Sequence, residues 1–193
     1  MISPRRIALV GGGVRSGKST FALRLAEELG ERRAFIATAR ISDPSDEDMA
    51  LRISRHQHER GDRFQTYEEP YALPERIRSF QDGEMDVVAV DCLTLWIANL
   101  LLKKKTVDEI LERVDELTAA LLARRFHAVL VTNEVGMSVH PETELGRKFQ
   151  EVTGWAHQRI SRIADDIYLA VLGTILHVHP SGLTAGTPGR ISR

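Results

Sequence analysis

Apolar residues in this chain come in two alternating kinds of run. Short unbroken ones are Ile7-Ala8-Leu9-Val10, Ala34-Phe35-Ile36-Ala37, Val87-Val88-Ala89-Val90 and Ala128-Val129-Leu130-Val131. Unbroken runs of this length suit strands covered on both faces, as in a parallel sheet. The stretches between them repeat their apolar positions every three to four residues, the period of a helix with one buried face.

Taken in order, the pattern predicts a strand over residues 7–10 and a helix over residues 18–29, closed by Gly30 in the common C-terminal cap role. A strand over 34–37 follows. The acidic turn 43–48 then leads into a helix over 49–60, with Asp46 as its cap and Met49, Ile53 and His56 near one face. Residues 64–67 read as a strand, 73–80 as a short helix, and Asp82-Gly83 as a turn. The strand ending at Asp91 precedes a segment, 93–102, that is apolar around most of its circumference and is expected to be a buried or interface helix. Residues 106–125 form an amphipathic helix with Val107, Ile110, Leu111, Val114, Leu117 and Leu121 inward. After the strand at 128–132 come a long helix over 144–164 and two strands, 167–172 and 175–178, as a hairpin around Gly173-Thr174. Strand–helix alternation of this kind predicts an α/β domain with a mostly parallel central sheet flanked by helices. One catalytic domain over 1–179 is expected, with a mobile tail over 180–193 that is rich in Gly, Ser, Thr and Pro.

Composition narrows the class. The 193 residues suffice for one well-packed domain, and a net charge of −1 gives no electrostatic case for nucleic-acid binding. The single cysteine, Cys92, has no internal disulfide partner, which suits a reducing compartment. No apolar run reaches membrane-spanning length, and the N-terminal residues run straight into the first strand without a cleavable signal, so a cytoplasmic location is expected.

Chemistry enters between the first strand and the first helix. Gly12-Gly13-Val14-Arg15-Ser16-Gly17-Lys18-Ser19 reads G-x-x-x-x-G-K-S, the phosphate-binding loop, in the strand–loop–helix context that the motif needs. Its glycines let backbone N–H groups approach phosphate oxygens, and the start of the helix points at the anion. Lys18 brings positive charge to the β and γ phosphates, and Ser19 a hydroxyl to Mg²⁺. Carboxyl ends of parallel strands face the ligand. Thr38 and Ala39, Asp91, and Glu134 all fall at such ends. Asp91 is placed to hold the metal, directly or through water, or to accept from a ribose. Glu134 is placed to position a water or a substrate hydroxyl, and serves equally well as a turn acid that caps the next segment.

Other features point less far. His56 and His58 lie roughly 200° apart on a helix and cannot share a metal there, although an extended segment would allow it. Arg52, Arg55 and Arg60 around them suit a phosphate-facing helix or a solvated one. Arg60-Gly61-Asp62 reads as coincidence, and Tyr67, Trp96 and Trp155 as packing residues.

Together these segments resemble the bifunctional adenosylcobinamide kinase / adenosylcobinamide-phosphate guanylyltransferase family of cobalamin biosynthesis. The likeness runs through residues 12–19, Ile36-Ala37-Thr38, the helix with Arg52-Ile53 and His56, and Glu68-Glu69-Pro70. It continues with the strand-end acid followed by Cys92-Leu93-Thr94, Asn99-Leu100-Leu101, Thr132-Asn133-Glu134-Val135-Gly136 and the helix through Phe149 and Gly154. The pairing of the Arg-Ile-x-x-His helix with the Thr-Asn-Glu-Val-Gly strand end is the specific part. The family's strand-end acid is often Glu; here it is Asp91, one methylene shorter.

The resemblance implies a RecA-like P-loop NTPase fold and two reactions. The first phosphorylates the aminopropanol hydroxyl of adenosylcobinamide with ATP or GTP. The second transfers GMP from GTP and yields adenosylcobinamide-GDP. The family's guanylylated histidine falls on His56, and a neutral imidazole is a competent nucleophile near pH 7. Lys18, with Mg²⁺, is expected to hold the leaving pyrophosphate. The nucleotide contacts it implies are Gly12, Gly13, Val14, Arg15, Ser16, Gly17, Lys18, Ser19, Thr38, Ala39, Gln57, His58, Glu59, Arg60, Glu68 and Asp91. It also implies a homotrimer, with the 93–102 segment as an interface candidate. Two other readings remain at this point: a small-molecule P-loop kinase with no covalent nucleotide, and a non-catalytic GTP-binding regulatory module.

Overall fold

The structure is a computed structural model, and residues 4–40 and 61–179 of it are described. The helix expected over 49–60, and with it His56, Gln57, His58, Glu59 and Arg60, lies outside the described residues, as does the tail over 180–193.

Seven strands form one sheet: β1 (Ile7–Gly12), β2 (Arg33–Ala37), β3 (Gln65–Glu68), β4 (Val87–Asp91), β5 (His127–Val131), β6 (Asp166–Val171) and β7 (Thr174–His179). Their spatial order is β3-β2-β4-β5-β1-β6-β7. Every neighbouring pair is parallel except β6–β7, the hairpin, which is antiparallel. The helices are α1 (Lys18–Leu29), α2 (Leu73–Ser79), α3 (Leu93–Leu102), α4 (Val107–Leu122) and α5 (Glu144–Ser161). β1, which leads into the phosphate loop, is separated by one strand, β5, from β4, which ends in the acid Asp91. This is the RecA-like P-loop arrangement, and the α/β class predicted by the alternating pattern is the one observed.

Strand residues alternate between two cores. Ile7, Leu9, Ala34, Ile36, Val88, Val90, Ala128 and Leu130 face one side, where α2 to α5 pack. Val10, Phe35, Val87, Ala89, Val129 and Val131 face the other, against Ala22, Leu23 and Ala26 of α1. Burial on both faces explains why these strands are apolar without interruption. The inward face predicted for α4 is the one buried, and Thr106 with Glu109 closes a reciprocal capping box at its start.

α3 resolves to a core helix. Leu93, Trp96, Ile97 and Leu100 are buried, and Trp96 Nε1 donates to the Tyr71 carbonyl at 2.9 Å. Its all-round apolarity is used within the subunit, with Leu102 the large residue left exposed. Trp96→Ala is expected to cost about 3–5 kcal/mol, read as a lower urea midpoint at unchanged m-value.

Two expectations are corrected. Gly30 does end α1, but in extended backbone with φ 174°, not in the left-handed cap conformation. Glycine is required there by proximity: a Cβ would lie 2.3 Å from Asp86 Cβ. Asp86 accepts from the backbone N–H groups of Glu31 and Arg32 just beyond, so the two chains run close together. Trp155 is not a core residue; it is 44% exposed on the outer side of α5, whose buried stripe runs through Val152, Ala156 and Ile160.

Candidate phosphoryl-transfer site

Parallel pairing brings the predicted site residues to one edge of the sheet. Glu68, Ala37, Asp91 and Val131 stand in one register row across β3, β2, β4 and β5. Val131 in turn is level with Val10 of β1, so Asp91 lies two strands, about 10 Å, from the strand that feeds the loop. Thr38 and Ala39 follow Ala37, and Asn133 and Glu134 follow β5, on the same edge.

The loop itself is shaped by its glycines. A Cβ at Gly12 would sit 2.6 Å from the Ala170 carbonyl oxygen and 2.8 Å from Ser16 Oγ, so no side chain fits where the loop leaves the sheet. Gly17, with φ 89°, occupies the left-handed position that opens α1. Lys18 folds back over the loop, its Nζ donating to the Gly13 carbonyl at 3.0 Å, and is itself largely buried. Val14 and Arg15 are exposed at the loop's outer turn. Ser16 Oγ is buried and has no hydrogen-bond partner among the described residues, an orphan hydroxyl in the cradle where phosphate oxygens are expected.

A buried polar network holds the β2 and β4 ends in place. Thr38, fully buried, donates its hydroxyl to the Cys92 carbonyl and accepts from the Cys92 N–H, both at 2.7 Å. Asn99 Nδ2 donates to the carbonyls of Thr38 and Pro70, tying α3 to both turns. Thr94 Oγ1 accepts from the backbone and side-chain amides of Asn133, joining α3 to the end of β5. Burial pushes the Cys92 thiol up to about 12, so it stays protonated and chemically inert. Glu68 is exposed and Asp91 partly so.

At the β5 end, the Glu134 N–H donates to the Gly12 carbonyl at 3.0 Å, which sets this acid beside the phosphate loop. Glu134 Oε1 accepts from the Gly136 N–H at 2.7 Å. Its Oε2 faces Nδ1 of His157 at 3.9 Å, and His157 Nε2 lies 2.6 Å from Thr132 Oγ1. Sequence reasoning missed His157 and gave Asn99 no role at the site. His157 reaches the site from the C-terminal half of α5, with no local motif to mark it.

The family model described as cobinamide kinase / cobinamide phosphate guanyltransferase matches residues 8–178. The chain belongs to this family. Among its relatives, the bifunctional adenosylcobalamin biosynthesis protein CobP of Pseudomonas aeruginosa is 39% identical over 167 residues, which cover 86% of this chain and 92% of that one. The bifunctional adenosylcobalamin biosynthesis protein CobU of Escherichia coli strain K12 is 34% identical over 177 residues, covering 86% and 95%. Among solved structures, a KaiC-like protein from Pyrococcus horikoshii OT3 aligns at 17% identity and a TM-score of 0.48, over 86% of this chain and 71% of that chain. Membership makes the protein a bifunctional kinase and guanylyltransferase acting in adenosylcobalamin biosynthesis. Among the described residues, no helix is long and apolar enough to cross a membrane.

Proposed function

We propose that the loop at 12–19, Asp91 and Glu134 carry the kinase step on adenosylcobinamide, and that His56 carries the guanylyl group in the second step. The observation behind this reading is the convergence of Lys18, Asp91 and Glu134 on one sheet edge around a formed phosphate loop.

In the kinase step the aminopropanol hydroxyl oxygen attacks the γ-phosphorus of ATP or GTP. The new O–P bond forms as the bond to the β–γ bridging oxygen breaks, and the nucleoside diphosphate leaves. Glu134 takes the hydroxyl proton, while Lys18 and the loop N–H groups receive charge on the phosphate oxygens. In the second step an imidazole nitrogen of His56 attacks the α-phosphorus of GTP and pyrophosphate leaves. A phosphate oxygen of the phosphorylated substrate then attacks the same phosphorus, the N–P bond breaks, and the imidazole is restored. Arg15 and Arg60 suit the charge on those oxygens. The other nucleotide contacts in this proposal are Thr38, Ala39, Gln57, His58, Glu59 and Glu68. Thr38 would take part by fixing the turn that presents Ala39, since its hydroxyl is committed to Cys92 and its backbone N–H and carbonyl are bonded to Asp91 and Asn99.

Ser19 and Asp91 would hold Mg²⁺. Both are hard oxygen donors, both are partly exposed, and one carboxylate with a hydroxyl and phosphate oxygens is a set that Mg²⁺ accepts. Bound there, Mg²⁺ supplies positive charge to the polyphosphate. The family resemblance further supports a cytoplasmic homotrimer.

Glu134→Gln tests the base. It is expected to lower acceptor-dependent ATP consumption about 10²-fold while leaving guanylylation of His56 in place. Kinase turnover within twofold of wild type would remove Glu134 from the reaction.

A further inference from the structure

We infer that His157 is a positioning residue for the phosphoryl-transfer step, holding the Glu134 carboxylate at the phosphate loop through its Nδ1–H. This inference rests on Glu134 acting as the base.

The geometry fixes the imidazole from two sides. Thr132, the residue after β5, is 3% exposed, and its backbone N–H bonds to the Val10 carbonyl at 3.0 Å. Its hydroxyl therefore stands at a buried position at the ends of the two adjacent inner strands β5 and β1. It meets His157 Nε2 at 2.6 Å, the short end of the hydrogen-bond range. A threonine hydroxyl can donate or accept, so the other ring nitrogen decides its role. Nδ1 faces Glu134 Oε2 at 3.9 Å. A lone pair there would point at a carboxylate; an N–H there is attracted to it. The favoured state has Thr132 donating to Nε2 and the proton on Nδ1, aimed at Glu134.

Burial lowers the His157 pKa, with Glu134 opposing in part, so the ring is neutral near pH 7 and carries one N–H. The 3.9 Å separation is longer than a hydrogen bond, and such contacts commonly tighten when substrate arrives. Glu134 is meanwhile held at its other oxygen by the Gly136 N–H and at its backbone by Gly12. One oxygen pinned by backbone and the other steered by an imidazole leave the carboxylate a narrow choice of orientation. A base for a hydroxyl needs that restriction, because proton acceptance depends on alignment. His157 contributes nothing to phosphate binding in this arrangement; it acts on the acceptor side alone.

The test uses the full-length protein with ATP and adenosylcobinamide. His157→Phe fills the space without a donor. His157→Asn keeps an N–H near the Nδ1 position, and His157→Gln keeps one near Nε2. His157→Phe is expected to lower kinase kcat about tenfold with little change in KM for the acceptor. His157→Asn is expected to recover most of that loss and His157→Gln little of it, with the label transferred from α-labelled GTP retained in all three. Kinase kcat within twofold of wild type in His157→Phe would overturn the inference. So would equal losses in kinase rate, guanylylation and Tm with no advantage of Asn over Gln, which would make His157 a packing residue. A Glu134→Gln protein as active as wild type would instead defeat the underlying assignment of Glu134, and His157 with it.

Discussion

Lys18→Ala is expected to lower both the kinase and the guanylyl-transfer rates about 10³-fold, equivalent to about 4 kcal/mol of transition-state stabilisation in each. In the proposed mechanism both steps place developing charge on phosphate oxygens over the same loop, and Lys18 is the cation that loop carries inward. Its Nζ already bonds the Gly13 carbonyl, so it is held within the cradle and not in solvent. Lys18→Arg is expected to restore little. The guanidinium is larger and planar, and the position is 8% exposed, which leaves no room for a fork. The measurement is kcat for each half-reaction with Tm as a control for folding. A loss confined to one reaction would mean that the two steps do not share the loop.

His56→Ala is expected to separate the reactions. Guanylyl transfer should fall below detection, because no other group on the proposed path forms the nucleotide–enzyme bond. Phosphorylation should continue within about threefold of wild type, since the hydroxyl attacks the γ-phosphorus directly. Chromatography of a reaction with excess GTP should then show adenosylcobinamide phosphate accumulating without adenosylcobinamide-GDP. Appearance of the guanylylated product in the variant would make the transfer direct and leave His56 a binding residue.

Much of this site is legible in the chain because its parts are local. The loop, its strand and its helix occupy residues 7–29 without interruption, so spacing alone fixes their relation. Unbroken runs ending in Asp91 or in Thr132-Asn133-Glu134 reveal strands covered on both faces, and parallel pairing then forces their ends to one edge. What escapes the sequence is whatever two distant segments make together. His157 reads as one more polar position on an amphipathic helix; only packing of α5 beside β5 brings it between Thr132 and Glu134. Asn99 likewise shows its purpose only once the turns at Thr38 and Pro70 lie next to α3. Gly30 illustrates a third case, where residue type was read correctly and its cause was not. The glycine serves close approach to Asp86, a contact 56 positions away, and not the local left-handed turn that usually selects it.

The central claim is that one chain uses its phosphate loop for both reactions and stores the guanylyl group on His56. Intact-mass spectrometry of the protein after incubation with Mg²⁺ and GTP, followed by peptide mapping, tests it most directly. The expected result is one added GMP per chain, lost in acid and stable in alkali, mapping to the peptide that contains His56 and missing from His56→Ala. An unmodified protein that still phosphorylates adenosylcobinamide, or an adduct on another residue, would contradict it.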